Sequence, residues 1–169
     1  MTKTDYKAAA SFWTDKEISA RKIDRKELKA KIDAFLSAHT VCALAAGSGK
    51  DIRCTPLEYS YHTNAIYILS EGGLKFRALE TNSSVSLAVF DISSGFGNLN
   101  SIQITGTAEI IDADSAEYSA ILAYKKIPAE AIWKLSHPMY LIKVTPSRFD
   151  MLCSDFKKAG YDVRQSLTV

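Results

Sequence analysis

The chain has 169 residues, of which 47% are hydrophobic and 24% are charged, and its formal net charge is +2. This length supports one domain that buries roughly 70% of the surface exposed by its unfolded chain, and the near-neutral charge gives no reason to expect nucleic acid or an anionic membrane as a partner. The apolar runs are strand-sized, far below the ~20 residues of a membrane helix, and the N-terminus has no apolar signal-peptide core, so we expect a cytoplasmic protein.

The cysteines and histidines show neither metal-ligand nor redox spacing. The cysteines lie far apart and include no Cys-x-x-Cys pair: Cys42, Cys54 and Cys153. Buried, reduced thiols are therefore expected. The histidines His39, His62 and His137 are scattered, and we interpret each as a turn or core residue. No metal site is predicted.

Capping patterns predict where two helices begin. Asp24 and Glu27 form a capping box ahead of apolar residues at helical spacing. Asp114 begins a second such pattern, and a short helix is expected to follow near residue 130. Another short helix, over residues 74–80, is predicted to turn Leu74 inward. Three or four helices are thus expected.

Alternating or continuous apolar runs predict about seven strands. The runs cover residues 41–46, 52–61, 65–69, 85–90, 101–111, 139–144 and 149–153. Short turns join most of them, which favours a mainly antiparallel barrel or sandwich. Pro56 cannot donate to a ladder, so the second strand is predicted at an edge or bulged there. We predict a single domain over residues 1–169, with an N-terminal arm over 1–23 and a C-terminal tail over 154–169 that has no strong pattern.

A candidate anion site lies after the third strand. Gly72 and Gly73 permit backbone angles that other residues resist, and they open the short helix. Lys75 on that helix and Arg53 on the second strand can converge on one phosphate. Arginine supplies a planar fork and lysine a point charge, while the turn supplies backbone amides and Ser70 a hydroxyl. Either cation, taken alone, could equally be a surface residue.

The strand over residues 101–111 has one apolar and one polar face. Ser101 and Gln103 lie on the polar face, which meets either solvent or a polar planar ring. Gln103 offers such a ring both a donor and an acceptor. Trp133 and Tyr161 are aromatic candidates for lining the ring, although core packing is the favoured interpretation for Trp133.

Four patterns in succession resemble the pyridoxamine 5'-phosphate oxidase-like, FMN-binding split-barrel family. They are Arg-x-x-Pro from Arg53, Ser-x-x-x-x-Lys from Ser70, Asn-x-x-Val-Ser-Leu-x-x-Phe from Asn82, and Gln-x-x-Gly-x-Ala-Glu from Gln103. The likeness covers about residues 30–150. It implies a mostly antiparallel FMN-binding split β-barrel with flanking helices, and a homodimer that binds FMN in the groove between two barrels.

By that resemblance, Arg53 and Lys75 correspond to phosphate-binding residues, and the backbone from Arg53 to Pro56 runs beside the isoalloxazine. The implied cofactor-binding set is Arg53, Cys54, Thr55, Pro56, Ser70, Lys75, Ser101 and Gln103. Two features depart from oxidases that act on pyridoxamine phosphate. Leu74 stands where they carry a second basic residue, and residues 161–165 lack their C-terminal tryptophan–arginine signature. The flavin site is therefore better supported than a vitamin B6 substrate.

The resemblance implies an FMN-dependent oxidoreductase that transfers a hydride via FMN to an unknown acceptor, with a small-molecule substrate and no protein acid or base identified. Two alternatives stay open. A haem-binding or haem-degrading split barrel would need an axial histidine or thiolate. A non-catalytic stress protein would bind flavin without turnover.

Overall fold

A computed structural model describes residues 5–92 and 97–169. The helices of the described residues are α1 (Tyr6–Ile18), α2 (Arg25–Ala38), α3 (Lys75–Leu79), α4 (Ala116–Tyr124), α5 (Ala129–Trp133) and α6 (Asp155–Lys158). The strands are β1 (Val41–Ser48), β2 (Asp51–Glu58), β3 (Ser60–His62), β4 (Ala65–Ser70), β5 (Ser84–Phe90), β6 (Asn100–Ile111), β7 (Tyr140–Cys153) and β8 (Arg164–Thr168). Among these helices none is both long and apolar enough to cross a membrane. The predicted loop after β5 includes residues 93–96, which lie outside the described part of the chain.

The strands form one antiparallel sheet of order β2–β1–β5–β6–β7–β4–β3, with β8 paired to the second half of β7. The two ends of this order, β2 and β3, are consecutive in the chain and are separated by Tyr59. The Tyr59 amide donates to the Thr40 carbonyl at 2.7 Å, and its buried hydroxyl donates to the Leu36 carbonyl at 2.8 Å. The strand predicted over residues 52–61 is therefore broken at Tyr59. The sheet curls into a half-barrel flanked by helices, which confirms the predicted split barrel.

Apolar side chains fill both sides of this curled sheet. The largest cluster lies inside the barrel and includes Leu44, Ile68, Leu87, Ile104 and Phe149, together with Ile32 and Leu36 from α2. A second cluster joins α4 to the outer side of β4 and β7 and includes Tyr67, Tyr118, Ile121 and Leu141. Each fully buried side chain of this kind contributes about 1.5–3 kcal/mol. The strands that carry the candidate site are therefore held by packing on both faces.

The prediction of two strands around Pro146 is wrong, because β7 runs through this proline as a single strand. It pairs with β6 as one strand of 14 residues, with a register shift between Thr105 and Gly106. Proline has no N–H to give to the ladder, and the shift lets the strand pass it. A Cβ atom on Gly106 would overlap the Thr145 carbonyl oxygen. The close approach of the two backbones therefore requires glycine at this position.

The C-terminal tail contains α6 and β8, where the sequence shows no strong pattern. Gln165 is 2% exposed on β8. Its side-chain oxygen accepts from the Ile23 amide at 3.0 Å, and its nitrogen donates to the Asp162 and Arg21 carbonyls at 2.7 and 3.0 Å. A polar residue thus occupies a buried position of β8. An apolar residue at this position would have indicated the strand in the sequence.

Of the two helix N-caps predicted from the sequence, the structure confirms the one at α2 and not the one at α4. The Asp24 carboxylate caps α2 by accepting from the Lys26 amide at 2.9 Å, as predicted. The cap of α4 is Ser115, which accepts from the Tyr118 amide at 3.1 Å. The prediction of Asp114 as that cap is therefore wrong by one residue.

The thiols do not all lie in the core. Cys42 is buried as predicted, and burial raises its pKa to about 12. Cys153 is half-buried, and Cys54 is exposed on the edge strand β2. Alternation along β2 places Cys54 on the face opposite to the one that pairs with the core residues Leu44 and Ala46, so its thiol is not buried.

Candidate functional site

The β2 residues of the predicted site divide between two faces of the sheet. Arg53 pairs with Ala46, a core residue of β1, so Arg53 and Thr55 lie on the barrel side. Cys54 and Pro56 alternate with them and lie on the outward face. Within the described pairings β2 is hydrogen-bonded only to β1, which confirms that Pro56 is on an edge strand.

A corner formed by α3, β1 and β2 holds the barrel-side residues. The helix α3 packs against both strands. Ser70 ends β4 on the same face as the core residue Ile68. Lys75 is buried in the first turn of α3. The fold therefore places Arg53, Thr55, Ser70 and Lys75 on the barrel side of the sheet, and α3 packs directly on the strand that carries Arg53.

Lys75 is the unusual group of this corner. Its side chain is 6% exposed, and its ammonium donates to the Gly72 carbonyl oxygen. Burial lowers the pKa of Lys75, because a low-dielectric environment disfavours the charged form. No carboxylate in the described parts of the chain forms an ion pair with it. A buried cation without a counter-charge is costly, so this position favours an anionic partner.

The glycine turn explains why Lys75 points inward. Gly72 and Gly73 have φ values of 127° and 105°, which side chains with a Cβ atom rarely adopt. The Ser70 hydroxyl oxygen fixes the turn by accepting from the Gly72 amide at 3.2 Å. The chain then enters α3 with Lys75 buried and Leu74 47% exposed. The prediction of Leu74 as an inward residue is therefore wrong.

Two aromatic residues beside this turn, Phe76 and Tyr140, were not identified from the sequence. The ring centroids of Phe76 and Tyr140 are 5.0 Å apart, and the Tyr140 ring lies 4.0 Å from the position of a Cβ atom on Gly72. Tyr140 reaches the turn because it pairs with Ser70 across β4 and β7. No local pattern predicts that pairing, since the two residues are far apart in the chain.

Ser101 and Gln103 lie on the outward face, away from the α3 corner. Gln103 is exposed and pairs with Ala88 on one side and Asp150 on the other. Three strand spacings, or about 14 Å, separate it from Pro56 along this face. One chain therefore presents two halves of the predicted set, one at the corner and one on the outward face.

The two aromatic candidates lie elsewhere. Trp133 is 76% exposed on α5, so the favoured interpretation of core packing is wrong. Tyr161 packs against the barrel core and lines a cavity of about 230 Å³ with Met151 and Phe156. The prediction that Tyr161 lines a ring on the outward face of β6 has no support from this position.

The sequence profile of the pyridoxamine 5'-phosphate oxidase family matches residues 28–153. No curated protein sequence matches the chain. The fold resembles a FAD-binding protein from Mesorhizobium loti, with 19% identity and a TM-score of 0.57 over 77% of this chain and 93% of that one. HutZ, the haem storage protein of Vibrio cholerae, has 17% identity and a TM-score of 0.58 over 70% and 89%. The General Stress Protein 26 of Bacillus anthracis has 16% identity and a TM-score of 0.58 over 84% and 98%.

These three structures share the fold with the chain at identities too low to transfer a ligand. The family profile covers well over half of the chain and includes β1 to β7. Its span includes the glycine turn, Lys75 and both faces of β2 and β6. The chain therefore belongs to the pyridoxamine 5'-phosphate oxidase family.

Proposed function

We propose that this protein is an FMN-binding flavoprotein that holds the FMN phosphate at the corner between α3 and β2 and acts as an oxidoreductase. The buried ammonium of Lys75, which has no carboxylate partner among the described residues, carries this proposal. A phosphate monoester is nearly a dianion at neutral pH. Such a group would supply the missing counter-charge, which fits the residues present.

Each residue of the corner has a distinct part in holding the phosphate. Lys75 supplies a point charge, and Arg53 supplies a planar fork of donors from the adjacent strand. The Ser70 hydroxyl and the amides of the turn near Gly73 complete the shell. The chemistry that FMN supplies when bound is hydride transfer between a donor and an acceptor.

The outward face supports a homodimer. Ile52 on β2 and Phe90 on β5 are 74% and 53% exposed, and both lie on the outward face that also presents Pro56 and Gln103. In a two-fold dimer this face would meet the partner, and each groove would combine residues of two chains. Sedimentation at micromolar protein with FMN present should show a dimer, and a monomer would refute this assembly.

A haem-binding barrel is the second candidate, favoured by the likeness to HutZ. The histidines argue against it. Both ring nitrogens of His39 have partners, the Phe35 carbonyl at 2.7 Å and the Asp91 carboxylate at 2.8 Å. The His62 ring packs on the ring of Tyr124 at 4.2 Å. His137 is exposed, and its Nε2 lies 3.4 Å from the Glu71 carboxylate.

The absorbance spectrum of the purified protein separates these functions. The visible bands of an oxidised flavin support the proposal, and a Soret band supports the haem alternative. If the protein is colourless, reconstitution with FMN and with haemin compares the two ligands directly. Oxidation of a reduced nicotinamide by the FMN-loaded protein then distinguishes an oxidoreductase from a stress protein that only binds flavin. Tight binding of haemin together with no binding of FMN would overturn the proposal.

A further inference from the structure

A small open cleft lies between α1 and the outward face of β7 and β8. The helix α1 buries none of its side chains, so core packing does not hold it. An ion pair holds it instead, between Glu17 of α1 and Arg148 of β7 at 2.8 Å. The helix therefore forms one wall of the cleft, and the sheet forms its floor.

The floor of the cleft is already neutralised. Arg148 makes a fork with the Asp150 carboxylate through Nε at 2.9 Å and Nη2 at 2.7 Å. The Ser166 hydroxyl donates to the same carboxylate at 2.7 Å. Because Glu17 also pairs with Arg148, two carboxylates compensate the charge of this arginine, and it is not available to bind an anionic ligand. An incoming anion would have to bind elsewhere in the cleft.

Two other cations lie close to the indole of Trp13. Lys16 Nζ lies 5.1 Å from the centroid of the Trp13 ring, and Arg164 Cζ lies 5.3 Å from it. Within residues 5–92 and 97–169 Lys16 forms no ion pair, and Arg164 reaches the Asp150 carboxylate only at 3.5 Å. The Trp13 side chain is 42% exposed. The cleft therefore offers an aromatic surface and two groups that can still donate to an anion.

We propose that this cleft is a binding site for a small planar aromatic anion. The ring would pack against Trp13, and its carboxylate or phosphate would accept charge-assisted hydrogen bonds from Lys16 and Arg164. The site is separate from the corner at Lys75 and does not depend on a cofactor there.

Tryptophan fluorescence tests this site directly. The chain has two tryptophans, and the W133F variant leaves Trp13 as the only reporter. Titration with 4-nitrobenzoate should give saturable quenching, whereas the neutral 4-nitrobenzamide should quench without saturation. In this background, K16Q and R164Q should each weaken 4-nitrobenzoate binding about tenfold, which corresponds to the loss of one charge-assisted hydrogen bond.

Matched variants separate binding from folding and from the phosphate site. K7Q removes an exposed charge from the same helix outside the cleft, and K16R keeps the charge of Lys16, so both should bind like the parent. K75M should also leave the affinity unchanged. Unsaturable quenching by 4-nitrobenzoate would overturn the proposal. So would K16Q and R164Q that bind as tightly as K7Q.

Discussion

Replacing Lys75 by methionine should stabilise the ligand-free protein. Methionine keeps an unbranched stem but brings no charge into a position where the lysine is 6% exposed. The change loses a charged hydrogen bond to the Gly72 carbonyl, worth about 1.5–3 kcal/mol. It also removes the desolvation of an ammonium, which costs several kcal/mol. Because the pKa of Lys75 is lowered, the desolvation cost is the larger effect, and we expect a net gain of about 1 kcal/mol.

The lowered pKa of Lys75 also determines how the stability of the wild type depends on pH. The unfolded lysine holds its proton up to its ordinary pKa of 10.5, whereas the folded one releases it at lower pH. Between these two values the unfolded state binds more protons, so the stability of the wild type rises with pH in that window. The K75M variant should lack this rise.

Differential scanning fluorimetry measures both effects. In phosphate-free buffer near neutral pH, K75M should melt about 2–4 °C above the wild type, which is the shift expected from 1 kcal/mol in a chain of this size. Added inorganic phosphate should raise the Tm of the wild type and not that of K75M. R77Q, an exposed change on the same helix, is the control and should behave like the wild type. A lower Tm for K75M in phosphate-free buffer, with an equal response of both proteins to phosphate, would refute the reasoning.

Three further substitutions test the fold around the site. Q165L removes the partner of the buried Ile23 amide and the bonds from Gln165 to the Asp162 and Arg21 carbonyls, of which the Arg21 carbonyl keeps the Asp162 amide, so urea denaturation should show a loss of about 2 kcal/mol. D24A removes the cap of α2 and should cost about 1 kcal/mol in the same assay, whereas an unchanged midpoint would mean that the cap contributes nothing. The hydrogen bond from His39 lowers the pKa of Asp91, so Asp91 contributes stability above its ordinary pKa of 3.8 that is lost as pH falls through the folded value. The free energy of unfolding of D91N should therefore fall less than that of the wild type between pH 5 and pH 3, and parallel curves would contradict this.

Local patterns in the sequence predicted the barrel well, because its strands are marked by alternation and short turns. Asp24 was identifiable as a cap for the same reason, since capping depends on residues within one turn. The strand β8 in the C-terminal tail was not predicted, because it buries the hydrogen-bonded Gln165 in place of an apolar side chain. A single strand through Pro146 was also hidden, since only the bulge opposite Gly106 makes it compatible with the ladder.

The sequence predicted which residues form the candidate phosphate site but not how they are arranged in space. Gly72 and Gly73 indicated the turn, yet their φ values decide that Lys75 and not Leu74 is buried. The pairing of Ser70 with Tyr140 depends on the topology of the whole sheet, which no short pattern encodes. The assignment of Arg53 to the phosphate stays a prediction, because it rests on its face of β2 and on the packing of α3.

Calorimetric titration of FMN and riboflavin into the wild type, K75M, R53Q and R77Q tests the phosphate site most directly. Each charge-assisted hydrogen bond is worth roughly 1.5–3 kcal/mol, so loss of Lys75 or Arg53 should weaken FMN binding by about one to two orders of magnitude. Riboflavin lacks the phosphate, so it should bind the wild type poorly and be nearly indifferent to both changes, and R77Q should match the wild type throughout. If K75M weakens FMN and riboflavin equally, or weakens neither, then Lys75 does not bind the phosphate and the account of this site is wrong.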